Sequence, residues 1–157
     1  MTPFPDLHTS SQQSPSIAPQ VMAAAATVNG TGIDISDCEA VELELSLGTL
    51  TGAPTGGVVT LTPQESDVVG SGYAQVNTDT VVAAFGDTFP EVLRYRYIGG
   101  ATGKHKFVRL SVTTPPTGGT TPTIAVAGNV LKGGLRYAGQ QPTVGSAPQT
   151  PTGGITN

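Results

Sequence analysis

Residues 91–114 read EVLRYRYIGGATGKHKFVRLSVTT and contain two runs in which apolar side chains recur at every second position. The first run places Arg94 and Arg96 on one parity and a leucine and two tyrosines on the other, and the second run, 107–112, places two valines and a leucine on one parity. A period of two is the signature of a β-strand. Glycines between the runs supply the positive φ angles that a tight reversal needs. The sequence therefore predicts a β-hairpin.

The predicted hairpin also carries most of the positive charge of the chain. Five of the seven Lys and Arg residues lie in it, together with two of the four tyrosines. One face of the alternating pattern is apolar and the other is polar. We therefore expect the apolar face to pack in the core and the polar face to form the specific surface of the protein.

The composition of the whole chain favours strands and turns over helices. Of its 157 residues, 21 are Gly and 13 are Pro, whereas charged residues make up 11% and aromatic residues 5%. No window repeats apolar residues with the helical spacing i, i+3, i+4 and i+7 over three turns. The length suits one domain with an ordinary core. We therefore predict an all-β protein, an antiparallel β-sandwich or small barrel with extended N- and C-terminal arms.

The clearest alternation elsewhere lies in residues 41–47, where Val and Leu occupy the odd positions and Glu and Ser the even ones. This pattern is typical of a strand with one buried and one solvated face. We expect residues 58–62 to form its partner strand, which Pro63 closes or places at a sheet edge. Further short strands are predicted at 21–28, 33–36, 73–76, 80–85 and 124–131.

The two ends of the chain differ from its middle. Residues 1–20 contain four prolines among Ser, Thr and Gln, and residues 139–157 are rich in Pro, Gly and Thr. Such segments bury too little apolar surface to offset the entropy that they lose on ordering. We therefore predict an N-terminal arm (1–20), a β-sandwich domain (21–138) and a C-terminal tail (139–157), with neighbouring subunits holding the arms. Removal of residues 1–20 is then expected to leave the domain folded.

The residues that catalysis or metal binding requires are sparse. His8 and His105 are the only histidines, and His8 lies in the predicted arm, so a positioned histidine base has little support. Asp34, Asp37 and Glu39 are close enough in sequence for Ca²⁺, but they lack the EF-hand pattern, which favours a polar turn. We predict no catalytic residue, no cofactor and no metal, and a protein that is not an enzyme.

Charge and hydropathy restrict the partners. The formal net charge is −4, whereas general nucleic-acid binders carry an excess of clustered Lys and Arg. No run of 18 apolar residues is present, and the start MTPFPDLHTS lacks the basic residues and apolar segment of a secretory signal. We predict no nucleic-acid partner, no membrane association and synthesis in a host cytoplasm. Cys38 is the single cysteine, so no disulfide forms within the chain.

Six segments of the chain follow one another in a recognisable order, namely AVELELSLGTLTG (40–52), VVTLTPQESD (58–67), YAQV (73–76), VLRYRYIGG (92–100), KHKFVRLSV (104–112) and NVLKGGLRYAGQQP (129–142). Their order resembles that of small β-rich virion proteins of tailed bacteriophages. In those proteins a strand, a polar ESD turn and an aromatic residue precede a YIG…FVRL hairpin, and an exit to a tail follows. The resemblance covers residues 30–142, and this chain departs from the pattern by inserting TTPPTGGTTPT at 113–123 and by its longer arms.

The resemblance implies a virion structural protein, namely a decoration or cement protein that binds across major capsid protein subunits on the capsid exterior. Arms that order on binding cover a large area with few residues, and repeated weak contacts gain from a high effective concentration. We also expect a homo-oligomer, such as a trimer around a symmetry axis. The predicted partner-binding residues are Phe4, Pro5, Leu7, Ile17, Arg94, Arg96, Lys104, Lys106, Pro115 and Pro116.

Two other hypotheses belong to different classes. The first is a neck, tail or fibre-associated virion module that recognises host-surface glycans through the loop at 113–123. The second is an enzyme, which the sparse catalytic residues support least.

Overall fold

A computed structural model describes residues 11–23, 26–84, 87, 89–100, 103–114 and 117–134. Within these ranges the chain forms ten β-strands and no helix, and hence no helix that could cross a membrane. The strands are β1 (Ser11–Ala23), β2 (Ala26–Asn29), β3 (Ile33–Asp34), β4 (Ala40–Thr51), β5 (Val58–Ser66), β6 (Ala74–Gln75), β7 (Val81–Ala84), β8 (Glu91–Tyr97), β9 (Phe107–Thr114) and β10 (Thr123–Gly133).

The strands form two sheets whose neighbours are all antiparallel. The four-stranded sheet has the order β1-β10-β4-β8 and the six-stranded sheet the order β2-β9-β5-β6, with β3 also on β9 and β7 also on β5. Because β2 and β3 lie along the same edge of β9, and β6 and β7 along the same edge of β5, each pair acts as one interrupted strand. The result is the eight-strand order of a jelly roll. The predicted all-β sandwich is confirmed.

The core lies between the two sheets and follows the alternating patterns closely. The Val and Leu residues of 41–47 all point inward, and the glutamates between them are half-buried on the outer face. Each fully buried aliphatic side chain of this kind stabilises the fold by about 1.5–3 kcal/mol. The inward side chains of the longer strands include Ile17, Met22, Val41, Leu43, Leu45, Leu47, Val59, Leu61, Leu93, Tyr97, Val108, Leu110, Val112, Ile124, Val126 and Val130.

The predicted hairpin at 91–114 is wrong in its pairing, although both of its strands form. β8 pairs with β4 in one sheet, whereas β9 pairs with β5, β2 and β3 in the other. The reversal between them is present, since Gly100 and Gly103 exchange backbone hydrogen bonds of 3.0 and 2.9 Å. Each strand presents a complete apolar face, so the two are buried most fully when they line opposite walls of the core.

The predicted pairing of 58–62 with 41–47 is also wrong, because β4 pairs with β10 and β8. Pro63 lies inside β5, whereas the sequence predicts that it closes the strand or places it at a sheet edge. Its carbonyl accepts a hydrogen bond from the Val76 N–H at 3.0 Å. In an antiparallel strand a residue's N–H and C=O point to the same side, so the missing N–H of Pro63 faces the gap between β6 and β7.

The structure also differs from the expected arm at 1–20. Residues 11–20 belong to β1, which pairs along β10, and Ile17 and Met22 are each only 2% exposed. Burial of these two side chains explains why a proline-containing segment joins the sheet. Pro15 is tolerated because β1 is an edge strand and its register with β10 shifts just after this residue. Residues 1–10 and 135–157 lie outside the described residues, so the predicted arm is corrected only at 11–20, and the rest of the division into arm, domain and tail stays a prediction.

Candidate functional site

The two ends of the sandwich differ in chemistry. At one end, the connections 30–39, 67–73 and 98–106 contact one another, and we call this the charged end. It holds Asp34, Asp37, Glu39, Glu65, Asp67, Lys104, His105, Lys106 and Lys132. At the opposite end, the loops 52–57 and 117–122 are joined by backbone hydrogen bonds and contain only Gly, Ala, Pro and Thr.

Glu65 lies at the centre of the charged end, where β5 brings its side chain inward. The residue is 6% exposed. Its carboxylate accepts a hydrogen bond from the Tyr97 hydroxyl at 2.7 Å and one from the Gly100 N–H at 3.2 Å. A Cβ at Gly100 would overlap this carboxylate, so the turn can approach it only because the residue is glycine. Glu65 therefore ties β5 to β8 and to the turn that follows β8.

His105 lies between two carboxylates and extends this network toward solvent. Its Nδ1 is 3.1 Å from Asp67 Oδ2, and its Nε2 is 3.7 Å from Glu65 Oε1. The backbone N–H of His105 donates to the Tyr97 hydroxyl oxygen at 3.0 Å, and the Lys106 N–H donates to Asp67 Oδ1 at 3.2 Å. These contacts fix the connection 98–106 against the start of the connection 67–73. We call the five residues Glu65, Asp67, Tyr97, Gly100 and His105 the latch.

Two tyrosines on the inner face of β8 each donate a hydrogen bond to a carboxylate. Burial, reinforced by the hydrogen bond to Glu65, raises the pKa of Tyr97 well above its ordinary value. Burial, together with the 2.6 Å bond to Asp79, does the same to the pKa of Tyr95. Both hydroxyl groups therefore stay protonated, and remain hydrogen-bond donors, at pH values near 10 where tyrosines of the unfolded chain begin to lose their protons.

A second network surrounds Lys132, which is 5% exposed. Its ammonium group donates to both oxygens of Asp37 at 2.9 and 3.0 Å and to the Asp34 carbonyl at 3.2 Å. Burial alone would raise the pKa of Asp34, but hydrogen bonds from the Ser36 hydroxyl and N–H, with the charges of Lys106 and Lys132, outweigh it and lower the pKa. Asp34 and Asp37, two of the three acidic residues predicted to form a polar turn, thus hold this segment to β10.

The polar and charged groups of the charged end form hydrogen bonds and ion pairs with one another. The Ser36 hydroxyl donates to Asp34 at 2.6 Å, and the buried Cys38 thiol donates to the Ile35 carbonyl at 3.4 Å. Lys104 donates to the carbonyls of Cys38 and Glu39 at 3.1 and 3.3 Å. Across the described residues, no group of three or more His, Cys, Asp or Glu side chains is arranged to hold a metal ion.

The predicted partner-binding residues separate into three groups. The basic residues are exposed, Lys104 and Lys106 at the charged end and Arg94 and Arg96 on the outer face of the four-stranded sheet. Ile17 is a core residue and is too deeply buried to contact a partner, which corrects its assignment. The remaining predicted residues lie outside the described part of the chain, and these are Phe4, Pro5, Leu7, Pro115 and Pro116.

The sequence analysis did not single out Glu65 or Lys132, although a signal for both exists. Glu65 shares the parity of the inward residues Val59 and Leu61 in β5, and Lys132 shares that of Val130 in β10. A charged residue in phase with a buried face needs a partner inside the protein. The position of Glu65 and Lys132 in the alternating pattern thus predicts that they are buried. Their hydrogen-bond and ion-pair partners lie elsewhere in the chain and cannot be read from this pattern.

No protein-family model and no curated protein matches the chain. Among solved structures, the chain is similar to the structure of infectious bursal disease virus, Gx strain, with a TM-score of 0.50 and 13% identity over 80% of this chain and 35% of that one. The chain thus spans about a third of the length of that protein. At this identity the similarity shows the fold alone, a jelly roll resembling part of a chain from a virus.

Two weaker similarities involve the same virus and a plant virus. A mutant VP2 protein of infectious bursal disease virus, from derived T=1 particles, matches with a TM-score of 0.44 and 16% identity over 80% of this chain and 36% of that one. Desmodium yellow mottle tymovirus matches with a TM-score of 0.35 and 7% identity over 82% of this chain and 86% of that one.

Proposed function

We propose that this chain is a structural protein of a virus particle, and that it decorates the outer surface of a bacteriophage head. The observation that carries the virion role is the jelly-roll strand order, which is common in viral capsid domains, together with its similarity to part of a chain from infectious bursal disease virus. Jelly rolls also occur in lectins and cupins. The phage and decoration assignments rest on the order of sequence segments described above.

The charge distribution supports a position outside the shell. The net charge is −4, and a surface that faces packaged nucleic acid needs unpaired basic groups. Arg94 on the outer face of the four-stranded sheet is paired with Glu44 at 3.1 Å and with Glu42 at 3.5 Å. The charge of Arg94 is therefore balanced by its neighbours, and a protein partner suits this face better than a polyanion.

The proposed partner is the major capsid protein, and the proposed assembly is a homo-oligomer. A single sandwich offers a small contact area, so each contact is weak by itself. Copies repeated over a shell raise the effective concentration of every further contact. Oligomerisation on the shell multiplies this effect, which explains how a small protein without disulfides can stabilise a particle.

The test is the presence and position of the protein on particles. Purified particles of the virus that encodes the chain are analysed by quantitative mass spectrometry and labelled with a gold-conjugated antibody against the protein. We expect many copies for each particle and labelling over the whole head. Labelling at one vertex would indicate a neck or tail protein and not a decoration protein. Absence of the protein from particles would refute a virion role.

A further inference from the structure

We infer that the charged end of the sandwich is the face that docks on the capsid, with Val68, Val69 and Ile98 as its apolar anchors. The inference rests on the proposed function and adds to it the orientation of the protein. Its occupant is a capsid surface that offers shallow apolar hollows for these three side chains and charged groups of both signs around them.

The first support is the position of the chain ends. Ser11 and Gly133 are cross-strand partners in β1 and β10. The Glu39 N–H donates to the Gly133 carbonyl at 3.1 Å, so this corner belongs to the charged end. The described chain therefore both begins, at Ser11, and ends, at Gly134, at the charged end. A contact that involves the predicted arms together with the domain therefore needs the shortest reach when this face meets the capsid.

The second support is exposed apolar surface. Val68 and Val69 are each 56% exposed, and Ile98 is 77% exposed. Large aliphatic side chains gain by leaving water, and adjacent exposed ones mark interaction sites more often than single ones do. All three residues lie in the connections 67–73 and 98–106. At the opposite end the loops 52–57 and 117–122 contain only Gly, Ala, Pro and Thr, and the connection between β7 and β8 adds Asp87 and the partly buried Phe89.

The third support is that the anchors are held in place before binding. Within the loop that carries the valines, the Ser66 hydroxyl donates to the Ser71 carbonyl at 2.6 Å and accepts from the Val68 N–H at 3.0 Å. The Tyr73 hydroxyl donates to the Val69 carbonyl at 2.9 Å. The latch then joins this loop to the connection that follows Ile98. Preorganised anchors lose little entropy on binding, which is a property of interface hot spots.

The experiment compares anchor variants with matched controls on the same particles. The full chain is added to particles from a virus lacking the gene for this protein, and bound protein is measured by sedimentation with the particles. The anchor variants are V68S/V69S and I98S. The controls are V82S, 53% exposed on the six-stranded sheet, and V21S, 67% exposed on β1. Circular dichroism and Tm verify that every variant is folded.

We expect each anchor variant to weaken binding about tenfold or more, because hot-spot truncations have effects of this size, and the controls to bind like the wild type. Equal binding by wild-type and anchor variants would overturn the inference while leaving the proposed function intact. Failure of the wild-type protein to bind would overturn the proposed function itself. Loss of self-association by the anchor variants in analytical ultracentrifugation, with particle binding unchanged, would assign the face to a second copy and also overturn the inference.

Discussion

Two tyrosines on β8, of which only Tyr97 belongs to the latch, allow a quantitative prediction. Tyr97 and Tyr95 point inward from β8, and each donates to a carboxylate, at 2.7 Å to Glu65 and 2.6 Å to Asp79. Tyr97 is 3% exposed, whereas Tyr95 is only partly buried. The substitutions Tyr97→Phe and Tyr95→Phe remove one oxygen atom each and keep the ring, so the losses of stability report the hydrogen bonds of the hydroxyl groups and not the packing of the rings.

The larger effect is expected for Tyr97→Phe. The Tyr97 hydroxyl also accepts a hydrogen bond from the His105 N–H at 3.0 Å, so the change removes two hydrogen bonds at a site that water enters poorly. A hydrogen bond to a charged group contributes about 1.5–3 kcal/mol and a neutral one about 0.5–1.5 kcal/mol, so we expect a loss of about 3 kcal/mol. This corresponds to a fall in Tm of roughly 10 °C in a domain of this size.

The smaller effect is expected for Tyr95→Phe, because water can replace the lost donor at a partly exposed carboxylate. We expect about 1 kcal/mol for this variant. The assay is urea unfolding at pH 7 followed by circular dichroism, with m-values compared to verify that the unfolded state is unchanged. If Tyr97→Phe proved no more costly than Tyr95→Phe, the latch would not be an important source of stability at the charged end.

The same variants have a signature at alkaline pH. The pKa of Tyr97 is raised in the folded protein, so the folded state keeps its proton where the unfolded chain, with a pKa near 10, releases it. The stability from this group is complete below about pH 10 and is lost as the pH rises further. The difference in unfolding free energy between the wild type and Tyr97→Phe should therefore shrink above about pH 10. A constant difference from pH 8 to pH 11 would contradict this explanation.

Three further predictions concern other parts of the fold. Asp37→Ala should lower the free energy of unfolding in urea by about 2–3 kcal/mol, because it leaves the buried ammonium group of Lys132 without its carboxylate. Lys132→Met should lower it clearly less, because it removes the buried charge itself. A larger loss for Lys132→Met would contradict this explanation. Gly100→Ala should lower Tm by several degrees through its overlap with the carboxylate, whereas Gly70→Ala, which has open space around its Cβ position, should be nearly neutral. Deletion of residues 1–20 should unfold the protein or lower its Tm strongly, because it removes most of β1. Deletion of residues 1–10 alone should leave Tm nearly unchanged. Equal stability of the two truncated proteins in a thermal melt would show that β1 is dispensable.

The faces of the strands could be predicted from the sequence because the alternation of side chains is a local property. Residues 41–47 show this most clearly, since their inward and outward positions in β4 are those that the pattern predicts. The inward faces of β8 and β9 were equally readable. Pairing was not, because a strand with a complete apolar face satisfies its backbone beside any strand of suitable length. The glycine turn at 99–103 favours a hairpin locally, and the burial of both faces against opposite sheets overrides it.

The charged end shows the same division between local pattern and tertiary structure. The sequence by itself determined that Glu65 and Lys132 share the parity of the buried residues on their strands, and that the chain is an all-β sandwich or small barrel. Only the tertiary structure determined that Glu65 meets Tyr97 and that Lys132 meets Asp37, across separations of 32 and 95 residues. A buried charge requires a partner wherever the chain can supply one, and which residue does so depends on how strands distant in sequence are assembled.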